Sequence, residues 1–231
     1  MTKSVSILIP VKDEELGLEH LFKDFKDSGI EQIYDISFIF IIDERTSDLS
    51  QKMATNFSND ILNQKGTYGK GGAVRQAVTH WKNNINSDFV IFIDADASYS
   101  FQGVMDILDE LKKNTDVASG SRFINSAGSI EGMGKLHIFG NHFLSKISSI
   151  KNRRIITDLC TGLWGFTSSS LNKINLKSKG FDLEAEIAGQ CRIAKLSHKE
   201  VAISWSTRKG GTSKLKSFRD GFIILLRILR T

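Results

Sequence analysis

The chain has 231 residues with 31 basic and 26 acidic side chains, which give a formal net charge of +5 at neutral pH. This length allows one large α/β domain with a substantial core, and the modest positive charge suits an anionic substrate or a membrane surface. The two cysteines, Cys160 and Cys191, lie far apart without a C-x-x-C pattern, which excludes a disulfide framework and a cysteine zinc site and favours a reducing compartment.

Strands and helices alternate through the first half of the chain. In order, the apolar pattern predicts a strand over residues 5–9, a helix over 14–25, a strand over 36–42, helices over 47–57 and 73–81, a strand over 89–93, a helix over 104–111 and a strand over 117–119. This order predicts the α/β class, with a Rossmann-like, mostly parallel, doubly wound sheet flanked by helices.

The second half differs in texture, but no linker or repeat separates it from the first. A stretch rich in glycine and serine, residues 120–134, predicts a mobile loop, and helices are predicted over 139–147 and 183–193. We therefore expect the later half to form a substrate-binding lobe on the same core.

The last predicted helix, residues 216–231, is amphipathic. It places Phe218, Phe222, Leu225 and Leu229 on one face, with Arg219, Arg227 and Arg230 nearby. Two interpretations remain open, an interfacial helix on an anionic membrane and an ordinary helix packed on the core. No apolar run approaches the roughly 20 residues of a membrane span, and no signal peptide precedes the first strand, so we expect a soluble protein or one peripheral at the cytoplasmic face of a membrane.

Carboxylates follow two of the predicted strands. Asp94 and Asp96 come directly after the strand at 89–93, and Asp43 ends the strand at 36–42. Ligands bind at the carboxyl ends of strands in open α/β sheets, so Asp43 and Asp94 are expected to share one crevice, and Asp94 and Asp96 to turn toward one ion. A solvated turn is the alternative for the aspartate pair.

A glycine-rich loop, G-T-Y-G-K-G-G-A-V-R at residues 66–75, lies between these carboxylates in the sequence. Gly69, Gly71 and Gly72 would let the backbone approach a ligand closely, and Lys70 can neutralise phosphate. The loop does not follow the first strand and lacks the G-K-[ST] sequence. It therefore matches neither a dinucleotide fingerprint nor a P-loop.

Taken together, the motifs resemble a known family. They are I-P-V-K-D-E at 9–14, the segment 43–48, G-K-G-G-A-V-R at 69–75, D-A-D at 94–96, G-S-R-F at 120–123, D-L-C-T-G at 158–162 and R-K-G-G-T-S-K-L at 208–215. In this order and spacing, over about residues 4–229, the chain resembles family 2 inverting glycosyltransferases of the GT-A fold. Within them it is similar to the polyprenyl-phosphate sugar synthases, such as dolichyl-phosphate mannose and glucose synthases.

The resemblance implies a role for each matching residue. Donor binding falls to Pro10, Glu14, Asp43, Lys70, Gly71, Asp94 and Asp96, and the acceptor phosphate to Arg122, Arg208, Ser213 and Lys214. Asp94 and Asp96 would hold Mg²⁺ or Mn²⁺, and Asp96, Arg122 and Arg208 are the implied catalytic residues. Ser98 stands where relatives often have glutamine as a further metal ligand, and Lys135 or His137 stands near the place of another family arginine.

The implied activity is metal-dependent transfer of glucose or mannose from a UDP or GDP sugar to a polyprenyl phosphate, with inversion. A lipid phosphate is already ionised near neutral pH, so no strong general base is needed. The expected partners are the donor, the lipid phosphate and either a membrane surface or a membrane-embedded subunit. The implied organisation is one domain over residues 1–215, with a nucleotide-sugar half to about residue 120 and an acceptor half after it, followed by the amphipathic helix.

Other functions remain as alternatives. A saccharide or protein hydroxyl acceptor would require a carboxylate base, for which the candidates are Asp158, Asp182, Glu184 and Glu186. Asp158 and Glu186 match acidic positions of the family, but each could equally cap a helix or pair with a lysine. The segment 208–214 favours a lipid phosphate, and the Q-x-x-R-W pattern of processive synthases is absent. A non-catalytic nucleotide-sugar-binding subunit is less favoured, and nothing indicates nucleic-acid binding.

Overall fold

The computed structural model describes residues 2–126, 130, 132–210 and 217–231. Within these residues seven strands form one sheet: β1 Ser4–Val11, β2 Asp35–Asp43, β3 Ile61–Gln64, β4 Phe89–Phe92, β5 Val117–Ser121, β6 Trp164–Thr167 and β7 His198–Ala202. The helices are α1 Glu15–Ser28, α2 Ser50–Phe57, α3 Lys70–Asn84, α4 Phe101–Leu111, α5 Lys135–Asn152, α6 Ser168–Lys173, α7 Leu183–Ile193 and α8 Ser217–Arg230, with a short 3₁₀ turn at Ile30–Gln32.

The sheet has the order β3-β2-β1-β4-β6-β5-β7. Neighbouring strands are parallel except at β6, which runs antiparallel to both β4 and β5. The predicted mostly parallel sheet flanked by helices is therefore confirmed. Because β1, β2 and β4 are parallel, their carboxyl ends lie at one edge, where Asp43 and Asp94 follow β2 and β4.

Two apolar clusters cover the two faces of the sheet. Ile7 and Ile9 of β1 belong to one cluster, and Leu8 to the other, because successive side chains of a strand point to opposite faces. The first cluster contains residues of α1, α2 and α4, and the second contains residues of α3, α5, α7 and α8. All four residues of β4 are buried, as its uninterrupted apolar run predicts for a strand covered on both faces.

The elements that were not predicted include β3 and α6. The edge strand β3 (I-L-N-Q) is half polar and too short to show a period, so its pairing with β2 defines it. The helix α6 (S-S-S-L-N-K) has almost no apolar residues, and the Thr167 hydroxyl caps it by accepting a hydrogen bond from the Ser170 amide. The predicted mobile loop at 120–134 includes residues 127–129 and 131, which lie outside the described residues, as do Ser213 and Lys214.

The C-terminal helix α8 has two apolar sides. Ile224 and Ile228 are buried in the core cluster that α3, α5 and α7 share. Of the face predicted from the sequence, Phe218, Phe222 and Leu229 are 84%, 61% and 54% exposed, whereas Leu225 packs against the core cluster. The inner side of the helix is therefore packed on the core, and the membrane contact of its outer side stays a prediction. Within the described chain, no helix is long and apolar enough to span a bilayer.

Candidate active site

Asp94 and Asp96 are held by a tight turn after β4. Ala97 has a left-handed backbone (φ 55°), and the Ser98 amide and hydroxyl both donate to Asp96 Oδ1, at 3.1 and 2.6 Å. Ser98 thus orients Asp96, whatever its relation to a metal. A Cβ atom at Gly162 would collide with the Asp94 carboxylate, so the glycine of D-L-C-T-G gives Asp94 the space it occupies.

Lys70 bridges the buried carboxylate of Glu184 and the partly exposed carboxylate of Asp94. Its Nζ lies 2.7 Å from Asp94 Oδ1 and 2.7 Å from Glu184 Oε1. Burial raises the pKa of both carboxyl groups, and Lys70 only partly offsets it. Burial alone would lower the pKa of Lys70, but the two carboxylates outweigh burial and raise it. One cation therefore serves two carboxylates, and the cluster favours retaining a further positive charge or proton.

The glycines of the glycine-rich loop contact the backbone of another segment and do not face open space. The Gly71 amide donates to the Gly180 carbonyl and the Gly72 amide to the Lys179 carbonyl, both at 3.1 Å. Gly69 has φ +103°, and a Cβ there would lie 2.5 Å from the Lys179 carbonyl oxygen. The segment 178–180 thus packs directly against the loop that carries Lys70, an approach that glycine permits.

Arg208 forms ion pairs with two of the carboxylates that the resemblance assigns to donor binding. Its guanidinium lies 2.9 Å from Asp96 Oδ2 and 2.9 Å from Glu14 Oε1. Backbone bonds tie the segment around Arg208 to the aspartate turn, from the Lys209 amide to the Asp96 carbonyl and from the Ser206 amide to the Ser98 carbonyl, both at 3.1 Å. The structure therefore brings Arg208, which the resemblance assigns to the acceptor, together with Asp96 and Glu14, which it assigns to the donor.

Arg122 is locked onto a buried carboxylate. Its Nε and Nη2 atoms donate to the two oxygens of Asp158 at 2.6 Å each, and Nη2 also donates to the Cys160 carbonyl at 2.9 Å. Asn141 of α5 donates to Asp158 Oδ1 at 2.6 Å. Glu200 of β7 accepts from the Thr157 and Asp158 amides at 2.7 and 2.9 Å, which fixes the turn. This bidentate pair orients the Arg122 fork rigidly.

The ends of β1 and β2 form the remaining part of the site. Asp43 is buried, and Arg45 donates to its two oxygens at 2.8 and 2.5 Å, which lowers the pKa of Asp43. The Arg45 guanidinium also lies 4.1 Å from the centre of the Tyr68 ring. Pro10 lies near the carboxyl end of β1, and the Glu14 amide donates to the Ser50 hydroxyl at 2.8 Å.

The carboxylates suit a hard divalent cation in kind. Mg²⁺ and Mn²⁺ prefer oxygen ligands, and Mg²⁺ is commonly held by one or two carboxylates together with substrate phosphates. Among the described residues no cluster of three or more acidic, histidine or cysteine side chains could hold a metal unaided. Asp94 and Asp96 each contact a basic side chain, Lys70 and Arg208. The carboxylates of Asp94 and Asp96 therefore suit a metal ion that binds together with a substrate diphosphate.

Several residues of the candidate site carry little signal in the sequence. Glu184 was weighed only as a base for a hydroxyl acceptor, yet it shares Lys70 with Asp94. Asn141 and Glu200, which orient Asp158, lie in segments without a recognisable motif. Their pairings join residues distant in sequence. The mixed polar and apolar sequences of α5 and β7 carry no local signal that marks either residue.

Comparisons with known proteins agree with the fold and motifs. A sequence model described as Glycosyl transferase family 2 matches residues 6–174. The chain is 27% identical to Glycosyltransferase AglJ of Haloferax volcanii, over 98% of this chain and 71% of that protein. It is 24% identical to Dolichol-phosphate mannosyltransferase of Pyrococcus furiosus, over 92% of this chain and 59% of that protein. It is 27% identical to Dolichyl-phosphate hexose transferase of H. volcanii, over 79% of this chain and 74% of that protein.

A solved structure with the same fold is glucosyl-3-phosphoglycerate synthase from Mycobacterium tuberculosis, in complex with Mn²⁺, uridine diphosphate and phosphoglyceric acid. It superposes with a TM-score of 0.72 at 12% identity, over 98% of this chain and 76% of that one. The sheet and its flanking helices are therefore of the GT-A type.

Proposed function

The chain belongs to glycosyl transferase family 2, and from this premise we propose that it transfers a hexose, glucose or mannose, from a UDP or GDP sugar to a polyprenyl phosphate. The observation that carries the proposal is the contact of Arg208 with Asp96 and Glu14. It puts a group suited to an incoming phosphate beside the carboxylates suited to a departing diphosphate. Names among the relatives, dolichol-phosphate mannosyltransferase and dolichyl-phosphate hexose transferase, support this acceptor class.

The donor half of the proposed site consists of the strand ends and the glycine loop. Asp43, Pro10 and Glu14 are proposed to bind the nucleoside, and Lys70 with Gly71 the diphosphate. Asp94 and Asp96 would hold Mg²⁺ or Mn²⁺, which in its bound form acts as a Lewis acid on the leaving diphosphate. Solved structures of this fold in complex with uridine diphosphate and Mn²⁺ or Mg²⁺ support a divalent ion here.

The acceptor half is proposed to consist of Arg122 and Arg208, with Ser213 and Lys214 outside the described residues. A guanidinium can hold two phosphate oxygens at once. Asp158 orients the Arg122 fork before an acceptor binds, whereas Arg208 would exchange its contact with Asp96 for the acceptor phosphate. An oxygen of the acceptor phosphate is itself the nucleophile. The residues of the site therefore have to position this phosphate and neutralise its charge, and they do not have to remove a proton. Displacement from the face opposite the diphosphate inverts the anomeric carbon.

The outer surface of α5 and α8 suits the membrane that carries such an acceptor. On α5, Leu136, Phe139, Phe143 and Ile150 are exposed on one side of the helix, opposite the residues that face the core. The Lys151 ammonium donates to the Leu229 carbonyl at 2.9 Å, which joins the ends of the two helices. Exposed basic residues accompany both stripes: Lys135, Lys146, Arg219 and Arg230. We propose that this surface, defined as the exposed stripes of α5 and α8, binds an anionic bilayer at the cytoplasmic face.

We also propose that residues 1–215 act as one domain with α8 attached to it. The core cluster joins residues of the nucleotide-sugar half, such as Val74, to residues of the acceptor half, such as Leu144 and Ile187. Burial of Ile224 and Ile228 in the same cluster supports a C-terminal helix that remains seated while its outer stripe binds the bilayer.

Transfer to a sugar or protein hydroxyl is the second candidate, and one observation favours it. Of the four possible bases, Asp158 is paired with Arg122, and Asp182 and Glu186 with Arg227. Glu184 alone of the four lies in the Lys70 cluster beside Asp94, where burial raises its pKa above the ordinary glutamate value. A hydroxyl acceptor would therefore depend on Glu184, whereas a phosphate acceptor would not.

The proposal is tested by incubating the protein with UDP-glucose, GDP-mannose and related donors, a short-chain polyprenyl phosphate and Mg²⁺ or Mn²⁺. We expect one donor to give a polyprenyl-phosphate hexose. The matched variants Asp96→Ala and Glu184→Gln separate the two candidates. With a phosphate acceptor, Asp96→Ala should abolish most turnover and Glu184→Gln should retain a large part of it, whereas a hydroxyl acceptor requires loss in both.

A further inference from the structure

Arg227 lies on the inner side of α8, between the C-terminal helix and the loop that backs the donor site. We propose that Arg227 is a positioning residue for the glycine loop at 69–72, and that it acts on donor binding through Asp182 and Glu186. The inference rests on the proposed function, because it assumes that this loop binds the diphosphate of a nucleotide sugar. It gives α8 a role inside the donor site.

The first step is the ion pairing of Arg227 with two buried carboxylates. Its Nε and Nη2 atoms lie 2.7 Å from Asp182 Oδ2, and Nη1 lies 3.3 Å from Glu186 Oε1. Asp182 and Glu186 are 5% and 2% exposed. On the same helix, Ile224 and Ile228 are buried on either side of Arg227 in sequence, so the arginine is anchored where it makes these contacts. A planar guanidinium is suited to holding two carboxylates at once.

The second step runs through the other oxygens of the same carboxylates. Asp182 Oδ1 accepts from the Ser178 hydroxyl at 2.5 Å and from the Gly180 amide at 3.3 Å. Glu186 Oε2 accepts from the Lys177 and Ser178 amides at 2.8 and 2.7 Å. Each carboxylate thus binds Arg227 with one oxygen and the segment 177–180 with the other. The arginine and this backbone segment cannot move independently without breaking these bonds.

The third step joins that segment to the glycine loop. The carbonyls of Gly180 and Lys179 accept from the Gly71 and Gly72 amides. A Cβ at Gly71 would lie 2.5 Å from the Ser178 hydroxyl oxygen, so the two backbones are in close contact. Lys70, which directly precedes Gly71, directs its ammonium to Asp94 and Glu184. A displacement of segment 177–180 therefore moves Lys70 relative to Asp94.

The charges explain why the arginine is needed. Burial raises the pKa of Asp182, but hydrogen bonds from Ser178 and Arg227 outweigh burial and lower it. Without the guanidinium, Asp182 and Glu186 would be two neighbouring buried carboxylates, and among the described residues no other cation forms an ion pair with either. Their mutual repulsion would weaken the bonds that hold segment 177–180.

The experiment compares Arg227→Gln and Arg227→Lys with Lys173→Gln, a change at an exposed basic residue of α6 that lies outside the proposed site and the proposed bilayer surface. Calorimetry measures the affinity for the donor nucleotide sugar, kinetics give the KM for donor and acceptor, and thermal unfolding gives Tm. We expect Arg227→Gln to weaken donor binding by about two- to thirtyfold while the acceptor KM stays within about twofold. Arg227→Lys, which keeps the charge but not the fork, should fall between it and the wild type, and Lys173→Gln should match the wild type.

Unchanged donor affinity in both Arg227 variants would overturn the inference. So would an equal weakening of donor and acceptor that follows the loss in Tm, because that result indicates general loosening of the fold. If Arg227→Gln does not fold, Arg227→Lys decides the question by the same comparison. Failure of the wild-type protein to bind any nucleotide sugar would instead contradict the proposed function, so the two failures are distinguishable.

Discussion

The Arg208 guanidinium lies 2.9 Å from Asp96 Oδ2. The sequence assigned these residues to opposite partners, Arg208 to the acceptor phosphate and Asp96 to the metal. Their contact means that one positive charge already lies where a divalent cation is proposed to bind. Metal binding at Asp96 and release of Arg208 toward an acceptor are therefore expected to be linked, since the two cations compete for the same carboxylate.

Arg208→Ala should bind Mn²⁺ more tightly than the wild type does in the absence of sugar and acceptor. Removing Arg208 takes one positive charge away from Asp96 and Glu14, and a partly exposed pair of this kind is worth about 1 kcal/mol, or about fivefold in affinity. Titration of Mn²⁺ followed by electron paramagnetic resonance measures this directly. Arg208→Lys keeps the charge and should remain near the wild type; a weaker Mn²⁺ affinity in Arg208→Ala would contradict the competition.

Gly71→Ala should weaken donor binding and lower stability, because the new methyl group would press on Ser178 at 2.5 Å and on its backbone at 2.9 Å. The matched control is Gly140→Ala in α5, where a Cβ meets no atom within 4 Å. That change should stabilise the protein by about 0.5 to 1 kcal/mol, since alanine favours a helix over glycine. Urea unfolding and donor calorimetry measure both variants, and tolerance of Gly71→Ala in both assays would refute the packing argument.

His198 should make the protein less stable in mild acid. Its ring stacks on Trp164, with centroids 5.1 Å apart, and bonds to the Ser119 hydroxyl at 2.8 Å. Burial lowers the pKa of His198 to about 3. Below an unfolded pKa of about 6.5 the unfolded chain takes up a proton that the folded chain does not, so stability is lost as the pH falls.

Between pH 6.5 and 5 this difference corresponds to about 2 kcal/mol. The free energy of unfolding of the wild type should fall by about that much more than that of His198→Gln over the same interval. Urea titrations at several pH values give the comparison. Parallel curves for the two proteins would show that His198 does not titrate as described.

The exposed stripes of α5 and α8 should bind anionic vesicles. Replacing Phe139 and Phe143, or Phe218 and Phe222, by serine should reduce binding to phosphatidylglycerol vesicles by at least about tenfold, because large apolar side chains lose their burial in the bilayer. Ile33→Ser and Leu49→Ser remove exposed apolar side chains elsewhere and serve as controls. Vesicle flotation measures the effect. Equal binding by all variants, or concentration-dependent dimers without vesicle binding, would exclude this surface as a bilayer contact.

The site could be predicted from sequence where its signal is local. The apolar run of β4 followed by Asp94 and Asp96 announces a buried strand that ends in carboxylates, and the parallel sheet brings Asp43 to the same edge. The pairing of Lys70 with Glu184 and of Arg227 with Asp182 could not be read in this way. These contacts depend on how α7 and α8 pack against α3 and its loop, which no short sequence pattern specifies.

The most direct test of the central claim compares two acceptors that differ only in the phosphate, a short polyprenyl phosphate and the corresponding polyprenol. Each is incubated with the preferred nucleotide sugar and divalent metal, and the product is identified by mass spectrometry and its anomeric configuration by NMR. We expect transfer to the phosphate alone, with inversion of the anomeric carbon, and loss of that product in Asp96→Ala. Transfer to the alcohol or to a saccharide hydroxyl, with none to the lipid phosphate, would contradict the account.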